Sequence, residues 1–173
     1  MLQAVLAAGA TDVLVIGTSR DALRLDVARA LGAHAIDVDA VEAVLEVQRR
    51  TGGNGADIVF DVSPAPATVP MSLALVRAGG TVLLAGLKEN RPVEIVTDQI
   101  VNRSLHVIGG TAFSQPSLEA AVRALNDGTV DTKPLRGPCS ISTTSKTPSM
   151  CCCAATRPKT RCGSLYVTHT EEA

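Results

Sequence analysis

The sequence predicts an α/β domain in which a parallel sheet is covered by helices on both faces. Three observations carry this expectation. Short β-branched runs alternate with longer segments of helical period from the start of the chain to about residue 136. Runs such as DVLVI (12–16) and TVLLA (81–85) are apolar after their first residue, as strands buried on both faces are. Glycines stand where helical segments stop, at Gly32 and in the TGG (51–53) and AGG (78–80) triplets.

Each element follows from its residues. Residues 12–16 read as a buried strand ending at Gly17. Thr18 and Asp21 have the spacing of a capping box, and open a helix over 21–31. Leu23, Val27, Ala28 and Leu31 supply its apolar face. The unit then repeats. A strand is expected at 34–38 and a helix at 41–50, then a strand at 56–62 and a helix at 68–76. Further strands are expected at 81–85 and 104–108, and a last helix at 117–126.

The grammar changes near Arg136. Residues 137–173 are rich in Ser, Thr, Pro and Cys and show neither period, so an irregular, poorly ordered tail is expected there. Its abrupt onset and its run of three cysteines read as a shifted reading frame in preference to a disordered interaction tail. The five cysteines (Cys139, Cys151, Cys152, Cys153 and Cys162) all lie in it, without a C-x-x-C pair or a histidine at ligand spacing. They are expected to be incidental thiols, and no metal ligand is expected in the chain.

Composition excludes several classes of function. The 173 residues suit one domain with one core, and a net charge of −1 without a Lys/Arg cluster offers nucleic acid no electrostatic footprint. No apolar run is long enough to span a bilayer, so no membrane partner is expected. The apolar opening lacks a basic leader and is interrupted by Asp12, which makes the cytoplasm the expected location.

Three fragments in order give the chain a family likeness. AVLAAGATDVLVI is similar to a helix end followed by the second strand of a dinucleotide-binding domain. SRDALRLDVARALGAHAIDV resembles the pattern R-L-x-x-A-x-x-L-G-A with its following strand. TGGNGADIVFDVSPAPATVPMSLALVRAGGTVLLAGL resembles G-G-x-G-A-D-x-V-x-D followed by G-G-x-x-x-x-x-G. Together, residues 1–134 resemble the cofactor-binding part of zinc-type medium-chain dehydrogenases, the alcohol, sorbitol and threonine dehydrogenase group. The resemblance implies a Rossmann-type doubly wound sheet and a nicotinamide dinucleotide cofactor, NAD or NADP. It divides the chain into an incomplete nucleotide-binding domain at 1–136 and the tail at 137–173.

The same resemblance places the cofactor. Ser19 falls where NAD-using relatives carry an acidic residue for the adenosine ribose, with Arg20 next to it. A hydroxyl beside a guanidinium suits a 2′-phosphate, which points to NADP over NAD. Arg24 falls near the same ribose, and its alternative is a solvated helix face. Val62, Ser63, Ala85, Gly86, Leu87 and Gly109 fall along the nicotinamide side. Gly86 either merely ends its strand or lets the backbone approach the ligand.

Other expected parts are missing. Met1 falls inside the helix that should follow the glycine-rich turn, so the sheet is expected to lack its first strand and that turn at the N-terminus. The family's catalytic zinc, which polarises the oxygen of the alcohol or carbonyl, has no recognisable ligands here, and no catalytic acid or base is assigned. Without a central strand the chain is expected to be marginal or prone to aggregate, unless the sheet closes up or another chain supplies the strand. The leading functional expectation is the cofactor-binding fragment of an alcohol or polyol oxidoreductase, inactive alone. The alternatives are a non-catalytic binding module, dimeric through the 104–108 edge strand, and a fragment of a zinc-independent quinone-reductase-like relative.

Overall fold

A computed structural model describes residues 1–110 and 113–135, together with the backbone of a strand at 165–169. In chain order the elements are α1 (Leu2–Ala7), β1 (Asp12–Gly17), α2 (Ala22–Ala30), β2 (His34–Asp37), α3 (Ala43–Arg50), β3 (Ala56–Asp61), α4 (Thr68–Leu75), β4 (Val76–Leu84), α5 (Asp98–Asn102), β5 (His106–Gly109), α6 (Gln115–Asn126) and β6 (Leu165–His169). The α/β alternation expected from the sequence is present. The irregular tail expected at 137–173 lies outside the described residues except at 165–169, where the backbone forms the strand β6.

The strands form one six-stranded sheet of order β2-β1-β6-β3-β4-β5. β1 pairs with β2, β3 with β4, and β4 with β5, all parallel. β6 is antiparallel to both of its neighbours, β1 and β3. The other five strands therefore all point one way and end at one edge of the sheet. The order is that of a doubly wound sheet, 3-2-1-4-5-6, with β6 in the central place. The pairing that the sequence expected to be lost is thus supplied from within the chain, in the opposite direction.

Alternation along β1 divides the core. Val13 and Val15 point to one face and pack with Leu2 of α1 and with Leu25 and Ala28 of α2. Leu14 and Ile16 point to the other face and join Ala43 and Val47 of α3, Leu73 and Leu75 of α4, and Val59 and Val82 of β3 and β4. The helices keep their places by local chemistry. The Glu42 carboxylate accepts the Val44 and Leu45 amides at 3.2 and 2.7 Å and so caps α3. At its other end the Thr51 hydroxyl donates to the Val47 carbonyl at 2.9 Å and accepts the Gly55 amide at 2.9 Å. Gly55 has φ +91°, and a β-carbon there would stand 2.8 Å from the Leu75 carbonyl oxygen, so no other residue fits this turn.

The cover is uneven across the sheet. On the face of α1 and α2, Ile58 is 37% exposed, and Phe60 and Leu83 are only half-buried. α6 has no buried residue. α5, which is too short to show a helical period in the sequence, carries Arg103 just beyond its end. That guanidinium donates to the Leu73 carbonyl at 2.7 Å and also to the Val76 carbonyl, fastening the end of α4.

Candidate functional site

In a doubly wound sheet the ligand crevice lies outside the carboxyl ends of the strands, where the strand order reverses. Here that point lies between β1 and β3. Three groups of backbone reach it: 17–21 after β1, 61–63 at the end of β3, and 85–88 after β4.

The β3–β4 side is built around one buried carboxylate. Asp61 has no exposed surface. Its side chain accepts the Ser63 amide at 3.0 Å, the Thr68 hydroxyl at 2.9 Å and the Lys88 ammonium at 2.8 Å. Lys88 also donates to the Ser63 carbonyl and, at 3.2 Å, to the Thr68 hydroxyl. The Asp61 carbonyl accepts the amides of Ala85 and Gly86 at 2.8 and 2.9 Å. These bonds bring the adjacent pair Val62 and Ser63 beside the adjacent pair Ala85 and Gly86. The structure also gives Gly86 a reason of its own. A β-carbon there would overlap the Ser63 carbonyl oxygen and stand 2.7 Å from the carbonyl carbons of Val62 and Ser63. Leu87 lies on the same turn and is 75% exposed. Gly109 ends β5, one strand further from the crevice, and a β-carbon there would meet nothing within 4 Å.

The β1 side carries the other predicted residues. The Thr18 amide and hydroxyl both donate to the Asp21 carboxylate, at 3.3 and 3.0 Å, at the expected spacing. Arg24 donates to the same carboxylate at 3.2 Å, which ties it to the start of α2. Arg20 is exposed and makes no hydrogen bond or ion pair among the described residues. Ser19 faces two acids that the sequence reading missed. Its hydroxyl donates to Asp37 at 2.7 Å, its amide donates to Asp39 at 2.9 Å, and the Asp39 amide donates to Asp37 at 3.0 Å. Asp37 ends the next strand, paired with Gly17, and Asp39 follows it, so only the β1–β2 pairing brings them to Ser19.

Two cavities lie elsewhere. A groove of about 490 Å³ runs along the outer side of β2, lined by Arg29, His34, Asp37, Glu46 and Arg50 among others. A smaller cavity of about 160 Å³ lies between α1, α2 and residues 130–132. Of the predicted cofactor residues only Arg24 lines either. Among the described residues no group of three His, Cys, Asp or Glu side chains could hold a metal ion. The five cysteines lie outside the described residues.

A family described as zinc-binding dehydrogenase matches residues 1–127. The chain belongs to that family. Its relatives include a D-arabitol-phosphate dehydrogenase of Enterococcus avium, 34% identical over 69% of this chain and 34% of the relative. A sorbitol dehydrogenase of Bacillus subtilis is 29% identical over 70% of this chain and 34% of the relative. The chain thus spans about a third of the length of these relatives. Among solved structures, the 2R,3R-butanediol dehydrogenase of Bacillus subtilis superposes with a TM-score of 0.68 at 25% identity, covering 78% of this chain and 38% of that one. An alcohol dehydrogenase from Thermus sp. ATN1 gives 0.68 at 25% identity over 75% and 37%.

The zinc-binding dehydrogenases imply a nicotinamide dinucleotide lying across the switch point. The residues present fit its two ends. Ser19 and Arg20 offer a hydroxyl and a guanidinium on one side, and the Val62–Ser63 and Ala85–Gly86 backbone offers a close, rigid floor on the other. The centre does not fit. The sequence has no G-x-G-x-x-G, the turn whose amides and helix start cradle a pyrophosphate. In its place the described backbone is the start of β6, with Leu165 paired to Ile16 and to Asp61.

Proposed function

We propose that this chain is the cofactor-binding portion of an oxidoreductase that transfers hydride between NAD(P) and an alcohol or polyol, and that it has no activity by itself. The observation that carries this reading is the family match over residues 1–127, on a sheet whose order gathers the predicted cofactor positions at one edge. The adenosine side is assigned to Ser19, Arg20 and Arg24. The nicotinamide side is assigned to Val62, Ser63, Ala85, Gly86, Leu87 and Gly109.

The choice between the two nucleotides turns on local charge. Ser19 with Arg20 favours a 2′-phosphate, the NADP expectation. Asp37 and Asp39 set two carboxylates beside Ser19, against the guanidinium of Arg20, while that of Arg24 is paired with Asp21. A phosphate dianion is repelled there, whereas ribose hydroxyls can donate to the carboxylates. We therefore read the preference as NAD. The exposed edge of β5, where Val107 is 40% and Ile108 49% exposed, supports a homodimer formed through that strand.

The test is a fluorescence titration of the purified chain with NADH and NADPH, run beside a turnover assay with zinc, sorbitol and butanediol. The expected result is binding that favours NADH, with no turnover. Tighter binding of NADPH would return the Ser19–Arg20 pair to its first reading. Turnover would refute inactivity, and absence of binding by every folded form of the chain would refute the cofactor reading. One observation, the β6 backbone at the centre of the crevice, favours the second reading of a non-catalytic module, which that last outcome would support.

A further inference from the structure

The smaller of the two cavities lies against the core without belonging to the cofactor crevice. Its volume is about 160 Å³, and its apolar lining comes from Leu2, Val15, Val27, Ala28, Leu31 and Val130. Leu2, Val15 and Ala28 are buried and belong to the apolar cluster on the α1 and α2 face. The remaining wall is residues 130–132, which paired hydrogen bonds hold against α1. The Gln3 side-chain nitrogen donates to the Asp131 carbonyl at 2.8 Å, and its oxygen accepts the Asp131 amide at 2.6 Å. The Val130 amide donates to the Ala124 carbonyl at 2.8 Å, which ties the same wall to α6.

We propose that this cavity is a binding site for a neutral, apolar small molecule the size of a single aromatic ring. Volume and chemistry both point to that class. An apolar cavity of about 150 Å³ in a protein interior stays dry and accepts benzene, whereas a buried water needs about two to four polar partners. Here the polar side chains at the border are already engaged. Gln3 holds the Asp131 backbone, the Asp131 carboxylate accepts the Lys133 amide at 2.9 Å, and Arg24 donates to Asp21. A charged group seated among Leu2, Val15 and Leu31 would lose its hydration without a countercharge. A neutral ring instead gains contact with side chains that otherwise face a gap. Arg24 is the one residue shared with the assigned cofactor positions, so the site stands or falls without the cofactor reading.

The test is a methyl-resolved NMR titration of the full chain with toluene, beside benzoate and the bulkier adamantanol. The methyl signals of Leu2, Val15, Val27, Leu31 and Val130 are expected to shift together and saturate with toluene. Benzoate and adamantanol are each expected to bind at least about tenfold more weakly. The variant Val130→Phe, whose ring fills the space, is expected to weaken toluene binding by at least about tenfold. Shifts that do not saturate, or that fall on other methyl groups, would overturn the proposal. Unchanged toluene binding by a folded Val130→Phe chain would do so as well. Tighter binding of adamantanol would mark a general apolar surface, and equal binding of benzoate a charged site, and either result rejects the assignment. Should Val130→Phe fail to fold, the order of the three ligands on the unmodified chain decides.

Discussion

Asp61 shows how much of the site depends on a few side chains. A carboxylate with no exposed surface persists only if it is paired and hydrogen-bonded, and Lys88, itself 12% exposed, supplies the countercharge. Replacing that lysine leaves a buried charge uncompensated. Lys88→Met is expected to cost about 3–5 kcal/mol, read as a lower midpoint in urea unfolding. The double variant Lys88→Met with Asp61→Asn should recover part of the loss, and a single-variant cost near zero would contradict this account. The residue assignments differ in how legible they were. Ser63, Ala85 and Gly86 could be named from the family pattern. Lys88 could not, because its partner lies 27 residues away and nothing local marks the pair. Asp37 and Asp39 escaped for the same reason, since an acid at the end of one strand gains its meaning from the strand beside it.

Among the elements, α3 is the one whose sequence explains it most fully. Ala43 and Val47 bury one face, Glu42 caps the start, and Glu46 accepts from Arg49 and Arg50 at 2.8 Å each on the outer surface. The two guanidinium hydrogen bonds lower the Glu46 carboxyl from 4.5 to about 2. Because the folded-state value is the lower one, the stabilisation is complete above the ordinary glutamate range and is lost as pH falls from 4.5 towards 2. Glu46→Gln should therefore lower stability at neutral pH, leave it nearly unchanged at the acid end, and flatten the profile as pH falls from 4.5 towards 2. An unaltered acid limb would show that the ion pair contributes nothing in solution. The strands and helices expected at 12–16, 21–31, 34–38, 41–50, 56–62, 68–76 and 81–85 all appear with small shifts at their ends. The largest shift is at β4, which starts at Val76 because the chain bulges between its pairings with Ala56 and Ile58. β6 was not legible, although LYVTH has β-branched and aromatic residues. A strand of five residues has too short a pattern to stand out, and its place was decided by the open edges of β1 and β3.

At the scale of the whole molecule, the sheet has covered and uncovered ends. The β1–β2 end is packed on both faces, whereas β5 is an edge strand with every residue exposed. An edge with unpaired backbone groups and apolar side chains invites pairing with another chain. Light scattering of the purified chain across a range of concentrations is expected to show a dimer. A monomer at every concentration would remove the homodimer proposal. The family match falls on residues 1–127 of this sheet, and the chain spans about a third of the length of the relatives it matches.

What the sequence determined by itself was the layer architecture. Apolar runs of strand length between helical periods specify which segments pair and which pack, because those periods are set by backbone geometry within a few residues. The glycine patterns around 52–55 and 79–86 added the family. The tertiary structure alone decided three things: the acids that face Ser19, the lysine that holds Asp61, and the strand that fills the centre of the sheet. Each depends on a hydrogen bond or ion pair between segments distant in the chain. Local sequence carries no term for such contacts, and only the assembled sheet brings their partners within reach.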